Sequence, residues 1–233
     1  MTLLRLEGVH KAFGETRALR GADLRVRPGE VIALLGRNGA GKSTLLSIAA
    51  GLLSADSGSV GYDPGTRIGL MPQEHALYPV LTARENLMFV ARAVGLSKKA
   101  AVREVDRVLE RVALTDRAGE RAGRFSGGMK RRLGFAAAIL GGPRVLLLDE
   151  PTVGVDPQSR LSLLELVEEQ AAEGVGIVYS THYMEEAERI ADTVTVLHRG
   201  VIRSEGPVHE LVGAEGETLE SVFMALTGQE EER

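Results

Sequence analysis

The sequence contains no cysteine, which excludes a disulfide framework, a thiolate metal site and a cysteine nucleophile. It has no apolar run near the roughly 18 residues that a membrane-spanning helix needs, and its opening residues lack the apolar segment of a signal peptide. Positive charge is not in excess either, since 28 Lys and Arg stand against 32 Asp and Glu. Sequence-independent nucleic-acid binding needs a strongly positive surface. We therefore expect a soluble, intracellular protein with no membrane span of its own and no nucleic-acid partner.

What is present is an ordinary globular composition. The 233 residues are 44% hydrophobic, which suffices for one or two packed domains with a buried core. Two segments with apolar–polar alternation, Leu3–Val9 and the stretch to Val26, predict an antiparallel pair of strands. Two continuous apolar runs, Val31–Leu35 and Val145–Leu148, predict buried parallel strands. The pattern as a whole predicts an α/β fold.

The remaining elements follow from the same periodicities and from turn and cap residues. Helices are predicted at Lys42–Ala50, within Thr82–Leu114 with Ser97 as an internal N-cap, at Ser126–Leu140, at Gln158–Ala172, from Met184, and at Leu219–Leu226. Strands are predicted at Ser59-Val60, Ile68–Met71, Gly176–Ser180, Thr193–Leu197 and Val201–Ser204.

A glycine-rich loop lies between the buried strand Val31–Leu35 and a predicted helix. It matches the pattern G-x-x-x-x-G-K-[ST], in which glycines let successive backbone N–H groups point at phosphate oxygens. Lys42 is predicted to reach the β- and γ-phosphates, Ser43 to ligate Mg²⁺, and Thr44 to bond the α-phosphate. The helix that begins here adds its positive dipole end. The predicted nucleotide-binding residues are Gly36, Arg37, Asn38, Gly39, Ala40, Gly41, Lys42, Ser43 and Thr44.

Two carboxylates end the second buried strand. A buried parallel strand delivers its last residues to the crevice where ligands bind in open α/β sheets. Asp149 is therefore predicted to hold Mg²⁺, and Glu150 to polarise an attacking water. Alone, the pair would read as a solvated acidic turn; downstream of a phosphate loop the metal-and-base interpretation is favoured.

A third motif, Ser126-Gly127-Gly128, stands about 20 residues before Asp149 and opens a helix. With the phosphate loop and the strand acids, this order resembles the nucleotide-binding subunit of an ATP-binding cassette (ABC) transporter. The resemblance implies a P-loop NTPase core with a mostly parallel sheet, an antiparallel β-subdomain and a helical subdomain. It implies an ATPase domain over 1–213, a helical subdomain over about 82–140, and a short helical tail over 214–233.

The same resemblance assigns four further residues. Phe13 matches the aromatic that stacks on adenine, which leaves GTP use open because stacking selects bases weakly. Gln73 matches the glutamine that touches Mg²⁺ or water, Asp156 a residue that crosses to the opposing subunit, and His182 the histidine that contacts the γ-phosphate. The simpler alternatives are a core aromatic for Phe13, a loop amide for Gln73, a helix N-cap for Asp156 and a structural histidine for His182.

The resemblance also implies partners. ATP with Mg²⁺ would lie between two ATPase subunits, in a homodimer or pseudo-symmetric heterodimer, with Ser126, Gly127 and Gly128 acting on the ATP of the other subunit. The residues around Ser126, Asp156 and His182 resemble the exporter branch of bacterial ABC proteins. We therefore expect an ATPase that powers an exporter, attached to a separate membrane permease on the cytoplasmic face of the plasma membrane.

Other classes remain open at this point. A soluble ABC ATPase acting on ribosomes or DNA is the main alternative, although such proteins usually carry two cassettes or a long insertion. A P-loop kinase or GTPase leaves Ser126-Gly127-Gly128 unexplained, and a non-catalytic module leaves Lys42 and Glu150 unexplained.

Two surfaces are also predicted. A basic cluster is expected to be a solvated face, with contact to lipid headgroups or nucleic acid as the alternative; its members are Arg121, Arg124, Lys130, Arg131 and Arg132. Within His75–Gly95, where the family docks its membrane subunit, the side chains that are either docking contacts or core are Tyr78, Leu81, Leu87 and Phe89.

Overall fold

The computed structural model describes residues 1–74, 76–212 and 218–228. The strands are β1 (Leu4–Phe13), β2 (Thr16–Val26), β3 (Val31–Leu35), β4 (Ser57–Tyr62), β5 (Ile68–Met71), β6 (Val145–Asp149), β7 (Gly176–Thr181), β8 (Thr193–His198) and β9 (Val201–Pro207). The helices are α1 (Lys42–Ala49), α2 (Ala83–Ala93), α3 (Lys98–Arg111), α4 (Gly127–Ala138), α5 (Pro157–Ala172), α6 (Met184–Ile190), α7 (Val208–Leu211) and α8 (Leu219–Gly228). The predicted boundary at 213/214 and the last residues of the tail, Gln229–Arg233, lie outside the described residues.

A mixed sheet forms the centre of the molecule, in the order β5-β6-β7-β3-β8-β9. The first five strands are parallel, and β9 runs antiparallel to β8. Every residue of β3, β6 and β7 is buried, because helices or the second sheet cover both faces. The continuous apolar runs therefore predicted these strands correctly.

The second sheet is antiparallel, in the order β2-β1-β4. Apolar residues at alternate positions of β1 and β2 face inward and pack with α1 against one face of the central sheet. The predicted antiparallel pair is confirmed. Its third strand, β4, is longer than the predicted Ser59-Val60. Within β4 only Val60 is half-buried and the other five residues are exposed, so the strand has no apolar–polar alternation that could have predicted its length.

The helices α2, α3 and α4 pack on the opposite face of the sheet in one apolar cluster. Each begins at a side-chain cap: Thr82 accepts from the N–H of Glu85, Ser97 from that of Ala100, and Ser126 from that of Met129. The N-cap predicted at Ser97 is thus confirmed. Among the described residues no helix has the length and apolar character needed to cross a membrane.

Strand order explains how distant residues come together. The strands β5, β6, β7 and β3 are neighbours and parallel, so their carboxyl ends lie along one edge of the sheet. Gln73 follows β5, and His182 follows β7. Asp149 ends β6 and Glu150 comes directly after it, while the glycine-rich loop follows β3. Ligands bind at this edge in open α/β sheets.

Candidate active site

The glycine-rich loop after β3 fits tightly against its neighbours. A Cβ at Gly36 would lie 2.6 Å from the carbonyl oxygen of Leu197, and one at Gly41 would lie 2.5 Å from that of Ala18. Gly41 also has φ +110°, a conformation that side-chain-bearing residues rarely adopt. Only glycine at these two positions lets the loop turn into α1 with its N–H groups facing the cavity.

Lys42 is the first residue of α1 and is buried. Its Nζ donates to the carbonyl oxygen of Gly36 at 2.7 Å and lies 3.0 Å from Oε1 of Glu150. The ammonium is therefore held between the loop and the carboxylate that ends β6. An anion entering the loop would compete with Glu150 for this charge.

Ser180, on β7, organises the two acids. Its hydroxyl donates to Oδ1 of Asp149 at 2.6 Å and accepts from the backbone N–H of Glu150 at 3.0 Å. Both acids are buried, and a buried carboxylate needs such partners. Sequence reasoning did not single out Ser180, because its role depends on the pairing of β6 with β7.

Glu150 stands between two other side chains of the edge. Its φ of +47° turns the chain sharply at the end of β6. Oε1 faces Lys42, while Oε2 lies 3.4 Å from Nδ1 of His182, whose side chain is 38% exposed. A carboxylate with one oxygen directed at a histidine open to solvent has the geometry of a base that can take a proton from water.

A cavity of about 490 Å³ opens in front of this edge. It is lined by residues 37–44 of the glycine-rich loop and α1, by Gln73 and Glu150, and by the arginines Arg17, Arg20, Arg37 and Arg199. Backbone N–H groups, a lysine and arginines suit a polyphosphate. No cluster of three or more His, Asp or Glu side chains suited to a metal occurs in the described part of the chain. The oxygens of Ser43, Gln73 and Asp149 match the hard oxygen donors that Mg²⁺ prefers, alongside water and phosphate.

Other predicted site residues lie outside the cavity lining. Phe13 ends β1, is half exposed and has the Lys11 ammonium 5.6 Å from its ring centre. Ser126 caps α4, and Asp156 caps α5 by accepting from the N–H and hydroxyl of Ser159. The N-cap interpretation of Asp156 is therefore correct as a local description, and these hydrogen bonds lower the pKa of its carboxyl group.

The two exposed caps belong to one surface. A Cβ at Gly127 would lie 3.4 Å from the carbonyl oxygen of Gly154, and a Cβ at Gly128 would lie 2.2 Å from Oγ of Ser159. The two glycines let the start of α4 pack against the start of α5. Ser126-Gly127-Gly128 and the loop 151–156 are therefore neighbours within one chain.

The basic cluster is not a single solvated face. Arg121 and Arg124 are exposed and Lys130 and Arg132 half-buried, but Arg131 is only 5% exposed. Its guanidinium points inward to two backbone carbonyls near the site. The solvated-face prediction is wrong for Arg131, because a long side chain on a helix can reach the interior from a polar sequence position.

Sequence reasoning also missed a buried network around Glu186. This carboxylate accepts hydrogen bonds from the hydroxyls of Thr152, Tyr179 and Thr181 at 2.7, 2.9 and 2.8 Å. Burial is the main cause that raises the pKa of Tyr179. Thr181 precedes His182 and Thr152 follows Glu150 by two residues, so Glu186 joins the two segments that carry those side chains. A three-dimensional junction of this kind leaves no linear signal.

Of the four apolar side chains predicted as docking contacts or core, two are open. Tyr78 and Phe89 are exposed and meet edge-to-face with ring centres 5.1 Å apart, whereas Leu87 is fully buried. Leu81 is half-buried. Leu87 and Phe89 lie on opposite sides of α2, so only one of them faces the core. Tyr78 and Leu81 precede the helix, where no periodicity indicates which side chain is buried.

Comparison with known proteins gives a consistent result. The family model described as ABC transporter matches residues 19–153. The chain is 44% identical over 208 residues to Linearmycin resistance ATP-binding protein LnrL of Bacillus subtilis, covering 85% of this chain and 67% of that protein. It is 41% identical over 217 residues to Nod factor export ATP-binding protein I of Burkholderia lata, covering 89% and 71%. A solved structure titled as the ATP binding subunit of an ABC transporter superposes with a TM-score of 0.84 at 32% identity, covering 96% of this chain and 99% of that chain.

Proposed function

The chain belongs to the ABC transporter family, and on that premise we propose that it is the ATP-hydrolysing subunit that powers a membrane exporter. Two similar proteins carry linearmycin resistance and Nod factor export in their names, which supports export as the direction of transport. The observation that carries the proposal is Glu150 held between Lys42 and His182 at the mouth of a glycine-lined loop.

In the proposed reaction, ATP places its phosphates in the loop after β3. The γ-phosphate takes over the ammonium of Lys42, which releases Oε1 of Glu150. Glu150 then accepts a proton from a water molecule as that water bonds to the γ-phosphorus and the bond to the β–γ bridging oxygen breaks. His182 contacts the γ-phosphate and steadies Glu150. ADP and phosphate are the products.

Ser43, Gln73 and Asp149 are the proposed holders of Mg²⁺. A bound Mg²⁺ supplies positive charge that offsets the charge developing on the phosphate oxygens. Ser180 keeps Asp149 oriented for that task. The proposed nucleotide contacts are the loop residues Gly36 to Thr44, with Phe13 against the adenine ring.

The exposed start of α4 is proposed to meet the ATP of a second ATPase subunit, in a homodimer or a pseudo-symmetric heterodimer. Ser126, Gly127 and Gly128 offer N–H groups and a positive helix end, which attract an anion from outside the chain. Asp156 lies beside them and would face the same partner. ATP binding would then close the dimer, and hydrolysis would reopen it.

The transport partner is proposed to be a separate permease at the inner face of the plasma membrane. Tyr78 and Phe89 would belong to the docking surface, as exposed aromatic residues often mark interfaces. We place the ATPase domain at 1–213, with its helical subdomain at about 82–140 and a short tail at 214–233.

The test is recovery of a partner from gently solubilised membranes. The tagged chain should bring down one integral membrane protein, and that complex should show ATPase activity that rises with a transport substrate. A Tyr78→Ala, Phe89→Ala double variant should recover less of it, while Leu161→Ala, an exposed leucine on α5, serves as the control. Recovery of ribosomes or DNA would support the alternative function.

A further inference from the structure

Arg131 joins three segments of the molecule that are far apart in sequence. It lies on α4, and its Nη1 donates to the carbonyl oxygen of Gln73 at 2.8 Å. Its Nη2 donates to the carbonyl oxygen of Val153 at 3.1 Å. Gln73 follows β5, and Val153 stands three residues after Glu150 in the loop 151–156.

The burial of this cation makes the two contacts strong constraints. Arg131 is 5% exposed, and its Nε has no hydrogen-bond partner among the described residues. Burial lowers the pKa of the guanidinium, while the charges of Glu150 and Asp149 oppose that shift. Burying a cation costs free energy unless its N–H donors have acceptors. Displacing either loop would therefore leave another N–H group of Arg131 without a hydrogen bond.

The planar guanidinium suits this role because it presents several donors in a fixed arrangement. One side chain can therefore hold two loops at a set separation, which a lysine ammonium cannot reproduce. The same residue is carried by the helix that Ser126 caps. Arg131 thereby connects the helix capped by Ser126 to Gln73 and to the loop after Glu150.

We propose that Arg131 is a positioning residue that sets the Gln73 backbone and the loop after Glu150 relative to α4, so that the Mg²⁺-binding and water-activating groups are held in register. This inference rests on the proposed function, because it takes Gln73 and Glu150 as the groups to be positioned. Arg131 itself is not among the described residues that line the cavity.

The next residue provides a matched control. Arg132 lies on the same helix and also donates to a backbone carbonyl, that of Val112 at 3.0 Å at the end of α3. Its contacts are remote from Gln73 and Glu150. Arg131→Met and Arg132→Met therefore remove the same charge from neighbouring positions of one helix, but only the first releases the two loops.

The experiment measures steady-state ATP hydrolysis and its Mg²⁺ dependence for the purified full chain. Arg131→Met should lower kcat about 10- to 100-fold and raise the Mg²⁺ concentration for half-maximal activity, as loss of an outer support of a metal site does. The KM for ATP should stay within about 3-fold, because the phosphate contacts remain. Arg132→Met should leave the Mg²⁺ dependence unchanged, and Arg131→Lys should fall between wild type and Arg131→Met.

A double-mutant cycle separates positioning from general damage. Gln73→Ala combined with Arg131→Met should lose much less activity than the product of the single losses, because both act through the same loop. Gln73→Ala with Arg132→Met should be multiplicative. Multiplicative behaviour of the Arg131 pair, or equal effects of Arg131→Met and Arg132→Met, overturns the inference.

Failure of the role of Arg131 and failure of the proposed ATPase function give different results. If Arg131→Met does not fold, Arg131→Lys decides, and a kcat and Mg²⁺ dependence equal to wild type overturn the inference. Failure of the wild-type chain to hydrolyse ATP, or full activity of Glu150→Gln, refutes the proposed function instead. An active wild type with an unaffected Arg131→Met refutes the role of Arg131 alone.

Discussion

The predicted site residues fall into two regions with opposite surroundings. Lys42, Asp149 and Glu150 form an inner region that is buried and connected through Ser180 and the glycine-rich loop. Ser126 and Asp156 belong to an outer region, where both side chains are exposed and cap the helices that follow them. The inner side chains already have their orientation set within one chain, whereas the outer ones offer donors and charge to something outside it. An asymmetry of this kind is expected where a reaction site is completed between two subunits.

The largest effect should come from the inner region. Glu150→Gln removes the proposed base while keeping the shape of the side chain, so hydrolysis should fall about 10²- to 10⁴-fold. ATP binding should persist, and the variant should elute as an ATP-bound dimer in size-exclusion chromatography. Glu185→Gln, an exposed neighbour of Glu186, is the control and should hydrolyse like wild type. Wild-type turnover by Glu150→Gln would contradict the assignment of the base.

Mixing subunits tests whether the outer region acts on a partner. Lys42→Ala and Ser126→Ala should each be nearly inactive alone. Together they should recover up to about a quarter of the wild-type rate, because random pairing gives half mixed dimers, each with one intact composite site. The measurement is the ATPase rate against the mixing ratio, with Lys42→Ala mixed with itself as the baseline. Absence of recovery would place the function of Ser126 within its own chain.

The hydrogen-bond network around Glu186, which supports the inner region, should contribute to the stability of the fold. Glu186→Gln replaces an acceptor-only carboxylate that serves three hydroxyls, so the free energy of unfolding should fall by about 2–3 kcal/mol. Glu185→Gln on the same helix should change it by less than about 0.5 kcal/mol. Urea unfolding followed by circular dichroism gives both values. Equal stabilities of the two variants would show that the network is replaceable.

The smallest effect is expected at Phe13. If it stacks on the base, Phe13→Ala should raise the KM for ATP about 5- to 10-fold with kcat unchanged, and Phe13→Trp should restore the affinity. Phe89→Ala is the matched control, since the two rings are 52% and 54% exposed. An unchanged KM would mean that Phe13 does not contact the nucleotide.

The sequence predicted the fold well where burial leaves a linear pattern. The apolar runs of β3 and β6, the alternation of β1 and β2, and the N-cap Ser97 are all found in the structure. The short helix α7 was missed, because four residues without a cap side chain carry no periodic signal. The strand order that brings β5, β6, β7 and β3 together is also not contained in local periodicity.

The site was predictable only in part, for a related reason. Motifs place Lys42 at the start of the helix after β3, and Asp149 and Glu150 at the end of β6 and directly after it. Neighbouring parallel strands bring these positions to one edge of the sheet. The residues that hold these side chains in place have no such motif. Ser180, Arg131 and Glu186 act through hydrogen bonds to residues that lie 31, 22 and 34 positions away in the sequence. Such contacts follow from tertiary structure alone.

The position of β3 also has a consequence for synthesis of the chain. Both of its partners in the sheet, β7 and β8, lie far downstream, and residues 36–175 separate β3 from β7. At typical elongation rates this strand waits roughly 7–30 s for its first partner to be made. The nascent chain must therefore carry an unpaired, wholly apolar strand for most of its translation. Until β7 is made, β3 exposes apolar surface that can associate with other chains, so slower synthesis lengthens the time in which aggregation competes with folding.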